Sequence, residues 1–246
     1  MSAEPSPAPS RLLRPDLQAD LRAVFIDVGG PIYDDDNYVR AVLTALDEIR
    51  AAQSREPVER SEFQRIYDRV RAAQGGSLRT ALAEELLGDR ALRGDLHERT
   101  REHWVHPVGT MYDDVIPFLR AVHGRLVVAI VANQERAVID ALRRDGVGDL
   151  VDVWGISAVV GHEKPSPEFF HWALSEAGVE AAQTVHIGNR LDTDVRPAKQ
   201  LGLATVWVLR GEAPDEPTPE QLAEPDLVVS DLRGLAEVLL PAEASA

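Results

Sequence analysis

The chain has 246 residues, 44% of them hydrophobic and 27% charged, enough to bury one substantial core, or one core plus a smaller insert. Its 26 basic against 41 acidic side chains leave a formal charge of -15, which argues against nucleic acid or an anionic membrane as the main partner. With no cysteine it has no disulfide, no thiolate nucleophile and no cysteine metal site, a composition that fits a reducing cytoplasm.

Residues 1–15 are rich in Pro, Ala and Ser and lack the apolar centre of a signal peptide; with 241–246 they read as tails. Apolar runs at 23–26, 126–131, 184–187, 204–209 and 227–229 read as buried strands, and 151–160 as a sixth, less regular one. The longest aliphatic run, 126–132, is far too short to cross a bilayer. Helical patterns at 115–122, 135–144, 167–177 and 194–201 are closed by Gly124, Gly146, Gly178 and Gly202, and glycine readily takes the left-handed closing conformation. Strand and helix in alternation predict an α/β fold, a Rossmann-like parallel sheet with right-handed crossovers. From 38 to 106 that rhythm stops. Helical patterns there cover 38–53, 58–74, 78–87 and 91–104, with turns at Gly75-Gly76 and Gly88-Asp89. The expected division is a core of 16–36 and 107–240 with an inserted all-helical cap, 37–106.

Four segments at expected strand ends carry chemistry. Asp27 closes the first run and is followed by Gly29 and Gly30, which allow close backbone approach to a ligand. In an open parallel sheet, ligands bind beyond the carboxyl ends of the strands. A lone Asp there more often caps a turn, so the other segments decide. Ala132-Asn133 ends the second run, Glu163-Lys164-Pro165-Ser166-Pro167 precedes a helix, and His186-Ile187-Gly188-Asn189 leads to Asp192 and Asp194. Each has a plain structural reading too: Asn133 as a helix cap, Lys164 as a solvated loop cation, the two aspartates as complements to a helix N-terminus.

In this order and at these places, the four segments resemble the motifs of the haloacid dehalogenase-like hydrolase superfamily, over roughly residues 20–235. In that family the first strand ends in Asp-x-Asp-Gly-(Thr or Val); the first Asp attacks phosphorus and the second is general acid and base. Asp27 matches the nucleophile, Gly29 stands at the acid/base position, and Pro31 replaces Thr or Val. The second motif usually ends in a hydroxyl residue, which Ala132 lacks, so Asn133 and backbone amides are left to hold the phosphoryl group. Lys164 matches the cation, Asn189 the first acidic position of the fourth motif, and Asp194 the second. The resemblance implies Asp27, Asn133 and Lys164 as catalytic residues, with Gly29, Gly30 and Ala132 beside them around the phosphate. It also implies Mg²⁺ held by Asp27, the Gly29 carbonyl, Asn189 and Asp194, with Asp192 as a helix cap.

The implied activity is Mg²⁺-dependent hydrolysis of a small phosphorylated metabolite through an aspartyl-phosphate on Asp27. General acid–base help is worth about 10²–10⁴-fold, so the missing second Asp implies slow turnover unless another group replaces it. A cap residue, His162 and His186 are the candidates, although His186 lies in an apolar strand and reads as a core histidine. Two rivals remain open: a metal-independent 2-haloacid dehalogenase, and a degenerate relative that binds a phosphorylated ligand or protein without turnover. The cap as a lid alone and the cap as also a homodimer contact are both left open by the sequence. Tyr33 to Asn37 occupies the family's flap position, and at least two of Asp34, Asp35 and Asp36 are expected to be solvated. His97, His103 and His106 with Arg99 and Arg101 read as an ordinary charged helix face.

Overall fold

The computed structural model describes residues 20–240, so the tails expected at 1–15 and 241–246 lie outside the described residues. Six strands are present: β1 (Ala23–Ile26), β2 (Val127–Ala132), β3 (Val153–Ile156), β4 (Thr184–Gly188), β5 (Ala204–Val208) and β6 (Leu227–Val229). They form one sheet in the order β3-β2-β1-β4-β5-β6, with every pairing parallel. The strand order reverses at β1, where a doubly wound sheet opens a crevice beyond its carboxyl ends.

Both faces of the sheet are covered, and this is why its strands read as unbroken apolar runs. Val24, Ile26, Val128, Ile130, Val185 and Ile187 share one buried cluster with Val115, Phe118 and Leu119 of the helix Val115–Val122. Ala23, Phe25, Ala129 and Val131 face the other way, onto Phe169 and Phe170 of the helix Pro167–Ala177. The sixth run is a strand only over β3; Ser157–Val160 turns helical and closes at Gly161, which has φ 82. The helix expected over 194–201 begins earlier, in a wide π turn at Leu191–Val195, and continues as Arg196–Gln200.

The helical insert contains α1 (Asp36–Ala52), α2 (Arg60–Ala73), α3 (Leu78–Leu82, running on as a π turn, Ala83–Leu87) and α4 (Arg93–His103). Its apolar faces meet in a cluster of their own, built around Leu46, Phe63, Ile66, Leu82 and Leu96. The loop after α2 ties this insert to the strand ends. Gln74, buried in a left-handed conformation (φ 46), accepts from Leu191 N–H at 2.9 Å and donates to the Glu212 carbonyl at 2.8 Å. Arg71 donates to the Ala213 carbonyl and Arg196 donates to the Gln74 carbonyl. The insert is thus anchored beside the residues that follow β4 and β5.

Candidate active site

Register brings the first and fourth motifs together. Ile26 pairs with Ile130 on one side and Ile187 on the other, and Asp27 N–H continues the ladder to the Ile187 carbonyl at 2.9 Å. The chain then turns sharply, with Gly30 N–H donating to the Tyr33 carbonyl and both Ile32 and Tyr33 N–H to the Val28 carbonyl. Gly30 has φ 83 and the Asn189 side chain lies against its α-carbon, so no residue with a Cβ fits there.

Lys164 is the pivot. Its ammonium lies 2.9 Å from Asp27 Oδ1 and 2.5 Å from Asp194 Oδ1, and the residue is only 3% exposed. Burial works against its charge, but the two carboxylates outweigh that and hold its pKa above the ordinary lysine value. The loop that carries it is fixed by Asn133, whose side chain donates to the Lys164 carbonyl at 2.8 Å and accepts from Lys164 N–H at 2.7 Å. Asn133 therefore grips the backbone of Lys164, and it also lines the adjoining cavity.

The two aspartates respond oppositely to the same lysine. Burial is the main influence on Asp27 and, despite Lys164, raises its pKa to about 6, with Asp194 adding to the rise. Asp194 is also penalised by burial, but Lys164 and His186 hold its carboxyl far below the usual range. His186, kept neutral chiefly by burial, donates from Nε2 to Asp194 Oδ1 at 3.1 Å, and Arg190 N–H donates to Oδ2 at 3.0 Å. Both Asp194 oxygens are thus spoken for behind Lys164, and Asp194 does not line the cavity. The roles expected for the acidic pair are redistributed. Asp194 accepts the backbone N–H that closes its turn, whereas Asp192 pairs with the Arg190 guanidinium at 2.8 Å.

The cavity, about 390 Å³, lies between the strand ends and the insert. Asp27, Gly29, Asn133, Lys164 and Asn189 line it from the sheet; Tyr38, Ser77, Arg79, Arg93 and Trp104 line it from the insert. Arg79 donates to Nδ1 of His97, and neither Arg79 nor Arg93 has an ion-pair partner among the described residues. His103 instead pairs with Glu48, Arg99 with Glu48 and Asp95, and Arg101 with Glu98 and Glu135, the charged helix face read from the sequence. His162 is exposed and does not line the cavity.

Asp35 is the site residue that motif reading did not single out. Asp36 is exposed and Asp34 is partly so, as expected for an acidic turn, but Asp35 points into the cavity beside Asp27. Burial, then Glu212 and Asp27, push its carboxyl well above the ordinary aspartate range. Its Oδ2 is buried without a close hydrogen bond, and the nearby Glu212 backbone N–H works the other way, favouring the charged form. The signal available in the sequence was spatial rather than local: the Gly29-Gly30-Pro31 turn sends the chain back across the end of β1.

The Mg²⁺ ligand set can be tested against this arrangement. Among the described residues, no three or more His, Asp or Glu side chains surround a common metal position. Mg²⁺ keeps several waters and needs only one or two carboxylates, so Asp27 with oxygens of Gly29 and Asn189 at the cavity wall fits a hydrated ion. Asp194, with its oxygens committed, is the weak member of the expected set.

A strand-end carboxylate beside a buried lysine, with a helical insert at the crevice of a parallel sheet, sets this chain among the Rossmann-like α/β proteins. The family model of the haloacid dehalogenase-like hydrolases matches residues 21–202, and the chain belongs to that family. A glyceraldehyde 3-phosphate phosphatase of Methanocaldococcus jannaschii is 34% identical over 100 residues, 41% of this chain and 42% of that protein. The chain thus spans under half the length of that curated relative. Among solved structures, a HAD phosphatase from Thermococcus onnurineus superposes with a TM-score of 0.60 at 21% identity, over 89% of this chain and 98% of the other. A 2-haloacid dehalogenase from Pseudomonas syringae does so with a TM-score of 0.57 at 22% identity, again over 89% and 98%. The shared fold therefore serves both chemistries and does not choose between them. No helix of the described residues is long and apolar enough to cross a membrane.

Proposed function

We propose that the protein is a phosphatase of small phosphomonoesters that works through an aspartyl-phosphate on Asp27, with the helical insert as its cap. The observation that carries this reading is the buried Asp27–Lys164–Asp194 row opening into a cavity that also holds Arg79 and Arg93. Arginines with no ion-pair partner among the described residues, beside a fixed lysine, suit a substrate with a dianionic phosphate, and a haloacid would not need so much positive charge. The phosphatase named among the relatives acts on a compound of this size class.

In this mechanism Asp27 attacks phosphorus as the bond to the leaving oxygen breaks, and water later cleaves the Asp27 adduct. Lys164 screens the nucleophile from the phosphate and stabilises charge on the phosphoryl oxygens in the transition state. Asp194 and Asn133 are positioning residues: one orients the ammonium, the other the peptide that carries it. Asp27, the Gly29 carbonyl and Asn189 would hold Mg²⁺, which supplies further charge neutralisation at the phosphate.

A phosphate-release screen of small phosphomonoesters with Mg²⁺, run on wild type and Asp27→Asn, tests this reading. Turnover in the wild type, at least 10³-fold lower in the variant, is the expected result. Turnover that survives Asp27→Asn rejects the nucleophile. Halide release from a 2-haloacid without metal, with no phosphate release, would establish the dehalogenase reading in its place.

A further inference from the structure

The first motif lacks a carboxylate at position 29, yet the space that such a side chain would fill is occupied by one. A Cβ built on Gly29 would lie 2.9 Å from Asp35 Oδ1, and Gly211 on the opposite side is likewise too close to Oδ2 to carry a Cβ. Two glycines thus make room for a single carboxyl group. Asp35 reaches this place because the tight turn at Gly30 returns the chain over the end of β1, and α1 begins directly after it. Its Oδ2 is buried against the Gly211–Glu212 backbone without a close hydrogen bond, although the Glu212 N–H favours the charged carboxyl, and Asp35 lines the cavity that holds Asp27. Asp35 shares this cavity with Asp27, so its carboxyl borders the space where a substrate's leaving oxygen would lie.

We infer that Asp35 provides, from eight residues along the chain, the second carboxyl group that position 29 lacks, and that it moves the proton in both half-reactions. This rests on the phosphatase reading above. In the first half-reaction the Asp35 proton passes to the bridging oxygen as the phosphorus–oxygen bond breaks and the Asp27–phosphorus bond forms; the alcohol leaves neutral. In the second, the Asp35 carboxylate takes a proton from the water that attacks phosphorus. Inorganic phosphate departs, Asp27 is a free carboxylate again and Asp35 is again protonated. The geometry also makes positions 29 and 35 mutually exclusive, since an acidic side chain at both would need the same volume.

The test compares wild type with Asp35→Asn, Gly29→Asp and the double variant Gly29→Asp/Asp35→Gly, after thermal melts confirm folding. Single-turnover release is followed with p-nitrophenyl phosphate, whose leaving group needs little protonation, and with phenyl phosphate, whose leaving group needs more. For Asp35→Asn the expected loss is about 10²-fold or more with phenyl phosphate and within about tenfold with p-nitrophenyl phosphate. A phosphoryl adduct on Asp27 should then accumulate, visible by intact-mass spectrometry. The double variant should regain at least tenfold over Asp35→Asn, while Gly29→Asp alone should not improve on wild type. Equal losses with both esters, an Asp35→Asn enzyme as active as wild type, or a defect cured by saturating Mg²⁺ would each overturn the inference. The last outcome would make Asp35 a metal ligand. A wild type with no turnover and no Asp27 adduct would instead overturn the phosphatase reading, and this inference with it.

Discussion

Asp27 carries a cost that the proposed nucleophile role would explain. Its carboxyl is removed from water beside Asp35 and Asp194, and one lysine shared with Asp194 does not restore its ordinary acidity. The sign of the resulting stability effect follows from linkage. A carboxyl with pKa about 6 in the fold and 3.8 in the reference state binds its proton more tightly when folded, so its contribution is fully present below about 4 and is lost as pH rises through about 6. Asp27→Asn removes the ionisable group with little change in shape. At pH 7 the metal-free variant should therefore melt higher than wild type, by on the order of 5 °C, and the gain should vanish near pH 4. Thermal melts across pH 4–8 in EDTA check this, and a variant that melts lower at pH 7 would contradict it. More stable and inactive is the combination expected where a site stores unfavourable charge for catalysis.

At the scale of elements, three strand ends and one loop share the work. β1 delivers Asp27, β4 delivers Asn189 and the turn with Asp194, and β2 delivers Asn133, which fixes the loop of Lys164 through two hydrogen bonds. Each such bond is worth about 1 kcal/mol, so Asn133→Ala should cost on the order of 2 kcal/mol, a fall in Tm of several degrees. On the proposed mechanism Lys164 acts chiefly on transition-state charge, so kcat should drop about tenfold or more with KM changed far less. Steady-state kinetics beside a thermal melt separate the two effects; a rise in KM alone would mean that Asn133 binds substrate and does not position the lysine.

The described residues form two apolar bodies, the sheet with its covering helices and the helical insert, that meet at one polar seam. Gln74 crosses the seam with a buried amide bonded to residues that follow β4 and β5. Replacing it with alanine leaves the Leu191 N–H buried without its acceptor, at a cost of about 1–3 kcal/mol. Gln74→Ala should accelerate amide hydrogen exchange in α1 through α4 severalfold while protection in β1, β2 and β4 stays unchanged. KM should rise with it, since Arg79 and Arg93 reach the cavity from the insert. Uniform loss of protection over both regions would instead show that insert and sheet open together.

The parallel sheet, the helical block after the first strand and the positions of the four motif segments are legible in the residues alone. Those follow from local causes: apolar runs that must be buried on two faces, glycines that close helices, and reactive residues placed where strands end. Helix starts near Pro197 and the end of the third strand were less legible, because a π turn and a short helix depend on contacts made across the fold. Only the tertiary structure decided how the site's charges are shared. Asp194, expected as a metal ligand, pairs with Lys164 and His186 in space; Asp34, Asp35 and Asp36 look alike in sequence, and Asp35 lines the cavity beside Asp27. Adjacent residues share composition and charge, but which of them enters a crevice is set by a turn geometry and by the glycines opposite. Those lie at positions 29 and 211, far apart in the chain and in contact with the same carboxylate.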